Sequence, residues 1–474
     1  MTYALQGHVW DFIYAVFTVI DILIMLALIL ARRSTVRRQV IWFIVMLINP
    51  VIMFAAYIMI GKPVFRRRFR TYRNEGIETI DRYIMARTDM AEPLGAARAL
   101  ARSGALEFTY DSSATYIPGG TQYFGSLFGD LRRAEHLIAV ECYVIRRDRT
   151  AKEFMDILEE RAKAGVRVYV SFDDYGYDGG DMRFVERLKK AGCHLSFFHN
   201  MNRTMFSPKK NCRDHRKTVV IDGRIAYQGG YNIGNEYLGD GPFGEWRDAA
   251  VRITGPQAKN MLRLFRDLWL YSEREEIDFP ELKAEVPASD SPVPMQIIPG
   301  DPVAPDDNPV GIEFLTLIGY ARSSIYIETP YFTPTRPVLK ELLMKAKSGV
   351  DVRIVIPDVA DHPCVFWANR HYADMAIKAG CKVYEYHGGF LHSKTIVADR
   401  FYASVGTANF DERSVKINLE CNVLMYSREM GERVADEVLQ DISKSTEYTH
   451  EMYASRTGWE RVKTFFSMLN YDQL

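Results

Sequence analysis

The stretch RAKAGVRVYVSF (Arg161 to Phe172) returns as KAKSGVDVRIVI (Lys345 to Ile356). Around it the same order repeats. AEHLIAVE (Ala134 to Glu141) and AGCHLSFFH (Ala191 to His199) have counterparts in ARSSIYIE (Ala321 to Glu328) and AGCKVYEYH (Ala379 to His387). In each copy a helical run ends near Gly, a short β-branched strand follows, then a second helix and a second strand. That alternation predicts an α/β layered unit built twice. A Pro- and acid-rich stretch, residues 273–309, separates the copies and reads as a linker. Two paired copies of one unit would relate to each other by a pseudo-twofold axis, with chemistry expected at their shared interface.

Each copy carries one instance of the pattern H-x-K-x-x-x-x-D. The first is HRKTVVID, with His215, Lys217 and Asp222; the second is HSKTIVAD, with His392, Lys394 and Asp399. In both, a Gly follows the His by 14 residues (Gly229, Gly406) and an Asn by 17 (Asn232, Asn409). One such match could arise by chance; two with matched followers do not. On a strand, residues i and i+2 face one side, so each His projects with its Lys. Asp222-Gly223 signals a type I′ hairpin that doubles the chain back and brings Asn232 toward the His/Lys face; Asn409 is expected likewise. Two such sets facing each other supply two imidazoles, two ammoniums and two amides, which suits a phosphodiester. One neutral His can attack phosphorus, the other can protonate the leaving oxygen, and Lys and Asn can stabilise the non-bridging oxygens. This chemistry requires no metal and no cofactor. On strand parity Asp222 and Asp399 face away from His and Lys and are expected to shape the motif by hydrogen bonds and charge balance.

The chain has 474 residues, 47% hydrophobic and 25% charged, which excludes a disordered or collagenous chain and leaves room for two or three domains. Lys+Arg and Asp+Glu are equal at 60 each, so no basic stripe argues for nucleic acid. The charge is unevenly spread: residues 1–70 hold nine basic side chains and two acids. Residues 12–31 contain one charge, Asp21, and residues 40–60 none, and about 20 apolar residues suffice to cross a bilayer. Asp21 costs about 2.5–3.5 kcal/mol in such a span, which its Leu, Ile, Val and Phe neighbours can offset. Two membrane spans are therefore expected. Six basic residues follow the second span and four Arg lie between the spans, which slightly favours a cytoplasmic body, with a re-entrant hairpin as the alternative. The six cysteines form no metal-ligand pattern and read as reduced and mostly buried.

The runs CRDHRKTVVIDGRIAYQGGYNIGNEYLG (Cys212 to Gly239), GGFLHSKTIVAD (Gly388 to Asp399) and GTANFDERSVKINLECNV (Gly406 to Val423) resemble the phospholipase D superfamily, and within it the bacterial cardiolipin synthases with two N-terminal spans. The resemblance covers essentially the whole chain. It implies tandem phospholipase D-like α/β/α domains related by a pseudo-twofold: a membrane segment over 1–70, a connector over 71–110, a first domain over 111–272, the linker, and a second domain over 310–474. It implies a phosphatidyltransferase in a bacterial cytoplasmic membrane. Phosphatidylglycerol and anionic membrane lipids would be its partners, a phosphatidyl-histidine its intermediate, and cardiolipin and glycerol its products. Phosphatidylethanolamine as donor, or water as acceptor in a phospholipase D-type hydrolase, are the alternatives. In relatives the His of the first motif is usually the nucleophile, which would be His215, with His392 as acid and base; the sequence itself is symmetric on this point. A carboxylate orienting each motif His is expected from the family. Glu420 lies in that region of the second half, and aligning DAAV with ECNV gives Asp248 in the first. Where relatives usually carry Gly-Ser, this chain has Gly229-Gly230 and Gly406-Thr407.

Weaker signals remain. The basic stretch Arg203, Lys209, Lys210, Arg213 and Arg216 could meet anionic headgroups, and Glu141 and Glu328 are equivalent strand ends that could line the site. Trp459, Val462, Phe465, Phe466 and Leu469 recur at helical spacing near the C-terminus, an apolar stripe expected to pack on the body, with membrane insertion as the alternative.

Overall fold

The computed structural model describes residues 12–20, 22–23, 77–87, 90, 93–176, 182–199, 211–302 and 308–469. The expected span over 40–60 lies outside them, as do Arg66–Arg70, Arg203, Lys209 and Lys210. The span over 12–31 is described only in part, and what is described is helical. Among the described residues no helix is long and apolar enough to cross a membrane.

Among the described residues the repeat forms two large sheets. The first has seven strands in the order Ser113–Ile117, Ala250–Thr254, Ile225–Gly229, Thr218–Ile221, Leu137–Cys142, Arg167–Asp173 and His194–Phe198. The second has eight, in the order Ser445–Tyr448, Lys382–Tyr386, Asp351–Pro357, Ser324–Glu328, Thr395–Ala398, Tyr402–Gly406, Glu420–Tyr426 and Met295–Gly300. In each, three parallel strands come from the α/β alternation (137–142, 167–173 and 194–198; 324–328, 351–357 and 382–386). The motif hairpin then joins antiparallel at their edge. The central strands are buried along their length, which is why they read as continuous Val, Ile and Ala runs. The connecting helix Arg149–Lys163 is amphipathic and buries Phe154, Ile157 and Leu158.

The two halves share a core. Val220, Ala226, Val251 and Ile253 of the first sheet lie in one apolar cluster with Val397, Ala403, Val405, Val423 and Met425 of the second. Gln228 Nε2 donates to the Cys421 carbonyl across this contact at 2.8 Å.

Residues 273–309 are more than a linker. Met295–Gly300 pairs antiparallel with Glu420–Tyr426 and forms the edge of the second sheet. Its alternate residues Met295 and Ile297 enter the shared core, a pattern hidden in the sequence by the Pro- and acid-rich residues before it. Residues 71–110 likewise contribute packing: Ile80, Leu94, Ala97 and Leu100 lie in the core of the second half with Val310, Phe314 and Leu317. All six cysteines are free, and Cys364 alone among them is exposed.

Candidate active site

Both motif hairpins are closed by their Asp. Asp222 and Gly223 take positive φ (52° and 62°), the geometry a type I′ turn asks for. In the second half Asp399 and Arg400 do the same (53° and 51°). The Asp222 carboxylate accepts from the backbone N–H of Glu135, His136 and Leu137 at 3.0, 2.8 and 2.8 Å. Asp399 accepts from Arg322, Ser323 and Ser324 N–H at 2.7, 2.7 and 2.9 Å. Burial works to raise the Asp399 pKa, but these donors outweigh it and hold the carboxyl below its ordinary value. Each motif Asp thus staples its hairpin to the start of the neighbouring strand, on the far side from His and Lys.

Two short parallel contacts bring the motifs together. His215 N–H donates to Leu419 O at 3.0 Å and Leu419 N–H to Arg213 O at 2.8 Å. In the other direction Phe390–Leu391 pairs with Trp246–Arg247, and His392 N–H donates to Arg247 O at 2.8 Å. Each motif His therefore lies beside the residue that precedes a carboxylate of the opposite half. His215 Nδ1 is 3.0 and 3.1 Å from the two Glu420 oxygens. His392 Nδ1 is 2.6 Å from Asp248 Oδ2. The carboxylates are exchanged between halves, a pairing that spacing within one half does not reveal.

The lysines point back along their own motifs. Lys217 Nζ donates to His215 O at 2.6 Å and lies 4.8 Å from the Tyr143 ring centre. Lys394 Nζ donates to His392 O and lies 3.8 Å from Asp248. Burial pushes Lys217 down to about 7 and Lys394 down to about 8, against the pull of the carboxylates. Burial also lowers the His215 pKa, with Glu420 resisting and both motif lysines assisting. His392 is held well below its ordinary value by burial, then by Lys394, Lys217 and His215. The two motifs thus share one electrostatic site.

The halves are not equivalent. Burial pushes Asp248 up to about 6. Glu420 is equally buried, yet His215, Lys217 and the Thr407 hydroxyl hold it below its ordinary value. Ser414 Oγ adds a 3.0 Å donation to Glu420. The Gly-Gly departure explains part of this difference. A Cβ on Gly230 would lie 2.0 Å from Asp248 Oδ1, so the first half has no room for the hydroxyl that Thr407 provides in the second.

Asn232 accepts from Val144 N–H at 3.3 Å and donates to Tyr237 Oη at 3.0 Å; that hydroxyl lies 3.4 Å from His392 Nδ1. Asn232 thus meets the other half's His through a tyrosine. Asn409 is buried with its Oδ1 unpaired, a polar atom turned into the interior. Glu141 and Glu328 do not line an open site: both are fully buried, opposite Thr218 and Thr395 in their sheets. Nor are Arg213 and Arg216 available to headgroups. Arg213 is buried 3.4 Å from Asp173, and Arg216 is buried 2.9 Å from Asp214 and 3.5 Å from Glu141. Sequence reasoning missed the aromatic wall: Tyr143 meets His215 edge-on at 4.8 Å, and Trp246 lies 5.0 Å from His392. Tyr237 stood inside the NIGNEYLG run, the one available hint.

The family described as "Cardiolipin synthase, PLD-like domain" matches residues 127–269 and 314–442. A cardiolipin synthase of Staphylococcus aureus strain Mu50 is 31% identical over 95% of this chain and 94% of its own length. The major cardiolipin synthase of Bacillus subtilis strain 168 is 31% identical over 96% and 97%. Among solved structures, the phosphatidylserine synthase of Haemophilus influenzae Rd KW20 shares the fold. Its TM-score is 0.62 at 14% identity, with 81% of this chain and all of that chain covered. Profile, relatives and tandem fold agree: the chain belongs to the phospholipase D-like cardiolipin synthase family.

Proposed function

We propose that this chain, a phosphatidyltransferase of the cardiolipin synthase family, forms cardiolipin from two phosphatidylglycerols through a phosphatidyl-histidine at His215. The observation that carries the assignment is the pair of exchanged carboxylates. With Nδ1 of each imidazole donating to a carboxylate, Nε2 is the free nitrogen on both. Glu420, held ionised by His215, Lys217 and hydroxyl donors, suits the histidine that must become cationic on phosphorylation. His392, depressed by burial and then by Lys394 and Lys217, gains its proton most readily once a diester anion sits between Lys217 and Lys394.

In the first step the His215 Nε2 lone pair attacks phosphorus and the bond to the glycerol oxygen breaks. His392 gives its Nε2 proton to that oxygen, and glycerol leaves. In the second step His392 takes the proton from a hydroxyl of the second phosphatidylglycerol. That oxygen attacks phosphorus, the P–N bond breaks, and His215 is restored with cardiolipin as product. Lys217 and Lys394 counter the charge on the non-bridging oxygens. Asn232 and Asn409 assist them, Asp248 and Glu420 orient the imidazoles, and Asp222 and Asp399 hold the hairpins. Tyr143, Tyr237 and Trp246 wall the site with rings that limit water as an acceptor. The spans over 12–31 and 40–60 would hold the first lobe (111–272) and the second (310–474) at the cytoplasmic face of the membrane.

The test is mass spectrometry of lipids after incubation of the purified protein with phosphatidylglycerol. Cardiolipin and glycerol in equal amounts, lost in His215→Ala and His392→Ala, support the reading. So does a phosphatidyl adduct on the His215 peptide of a His392→Asn variant. Phosphatidic acid without cardiolipin would make water the acceptor and overturn it.

A further inference from the structure

The C-terminal helix Gly458–Leu469 turns its faces the opposite way from the expectation above. It buries Thr464 and Ser467, whose hydroxyls donate to Glu460 O and Lys463 O one turn back. Its aromatic stripe points outward: Trp459, Phe465 and Phe466 are 68%, 61% and 61% exposed, and Val462 is exposed beside them. The helix is held to the body by Met468, which packs against the apolar core of the second half, and by polar and cationic contacts. It packs along the helix Pro363–Ile377, with Lys463 Nζ 5.3 Å from the Trp367 ring centre. Arg456 lies over the Tyr453 ring at 3.3 Å and donates to Thr464 Oγ1 at 2.7 Å. The aromatic stripe stays on the outer side of the docked helix.

We infer that this helix lies in the surface of an anionic lipid bilayer, its aromatic stripe at the boundary of headgroups and acyl chains. Positions 459, 462, 465 and 466 fall on one side of a 3.6-residue period, and Trp and Phe favour that boundary. The helix has 12 residues, too short to span a bilayer and long enough to lie along one. Beside the stripe lie the exposed Arg461, which donates to the carbonyls of Arg456 and Ala454, and the exposed Lys463, against a half-buried Glu460, a positive bias that complements anionic headgroups rather than a second neutral copy of this chain. The surface also adjoins the site. The supporting helix Pro363–Ile377 follows directly on Asp361, which accepts from Tyr331 Oη at 2.5 Å and bears electrostatically on the Lys394 ammonium. A bilayer beneath the C-terminal helix would thus sit one helix away from the reacting phosphodiester. The inference draws only the identity of its substrate from the proposed phosphatidyl transfer; the exposed stripe stands without it.

The experiment uses the full chain in vesicles of phosphatidylglycerol and phosphatidylcholine. Cys364, the exposed thiol, is changed to Ser, and Phe466→Cys is labelled with bimane. Quenching by lipids carrying a nitroxide near the top of the acyl chain is expected. The pair Phe465→Asp and Phe466→Asp is expected to lower turnover on vesicles by roughly tenfold or more, with turnover in mixed detergent micelles unchanged. An unquenched label would overturn the inference. So would concentration-dependent energy transfer between labelled copies in the absence of lipid, which would make a second copy the occupant. A quenched label in a protein that forms no cardiolipin would leave the helix assignment standing and remove the proposed reaction instead.

Discussion

Replacing Gly230 by Ala adds one methyl group where the Asp248 carboxylate already sits. The Cβ would meet Asp248 Oδ1 at 2.0 Å and its Cγ and Oδ2 at 2.5 Å, whereas real Cβ contacts stay beyond 3.0 Å. Gly230 does not have positive φ, so the backbone accepts Ala and the conflict is steric alone. The carboxylate must retreat by about 1 Å in a close-packed interior. It cannot do so and keep its 2.6 Å contact with His392, its 2.8 Å bond from Ala249 N–H and its 3.8 Å approach to Lys394. A misplacement of about 1 Å at a reacting group costs on the order of 10²-fold in rate. Complete loss of a histidine's orienting carboxylate costs up to roughly 10⁴-fold. Gly230→Ala is therefore expected to lower cardiolipin formation between about 10²- and 10⁴-fold, with an overpacking cost of about 1–3 kcal/mol. Gly125→Ala serves as the matched control: its Cβ meets nothing within 4 Å on a helix, so activity should hold and stability rise slightly. The assay is turnover per folded molecule, by lipid mass spectrometry, alongside a thermal melt. Turnover within threefold of wild type at Gly230→Ala would show that the Asp248–His392 contact does not govern the reaction.

Three further outcomes follow from the same geometry. Glu420→Gln retains a hydrogen-bond partner for His215 but not the charge, so turnover should fall about 10³- to 10⁴-fold with the fold intact; a loss under tenfold would remove Glu420 from the mechanism. Asp399→Ala strands the N–H groups of Arg322, Ser323 and Ser324. Stability should drop by about 1–3 kcal/mol while turnover per folded molecule stays near wild type, and an unchanged melt with a dead enzyme would contradict that structural role. The lysines set an alkaline limit. Lys217 at about 7 and Lys394 at about 8 lose charge as pH rises, so kcat/KM should fall through that range. A bound diester anion favours the charged lysines, so the same limb in kcat should lie at higher pH, and a kcat/KM profile flat to high pH would contradict the assignment.

The duplicated motif, the Asp-Gly turn and the paired strands were legible because each rests on local spacing or local backbone preference. What was hidden depended on which distant surfaces meet. A helical period tells that Trp459, Val462, Phe465 and Phe466 share a face; it does not tell which face the body takes, and here the body takes Thr464 and Ser467. Arg213 and Arg216 read as a basic surface, yet Asp173, Asp214 and Glu141 draw them inside. The strand Met295–Gly300 hid behind a linker composition because its partner, Glu420–Tyr426, lies far along the chain.

The exchange of carboxylates constrains how such a site can work and how it can vary. Each imidazole takes its orienting carboxylate from the opposite half, so neither half alone holds a complete His–carboxylate pair. In the proposed mechanism duplication thereby becomes obligatory for chemistry rather than a doubling of capacity. It also lets the two pairs diverge. The second half supplies Glu420 with hydroxyls from Thr407 and Ser414, and the carboxyl stays ionised beside His215. In the first half Gly230 leaves the space to Asp248, whose carboxyl rises to about 6 beside His392. One histidine is thus matched to a carboxyl held below its ordinary value and the other to a carboxyl that burial raises. That difference suits a covalent intermediate on His215 and reversible proton transfer through His392.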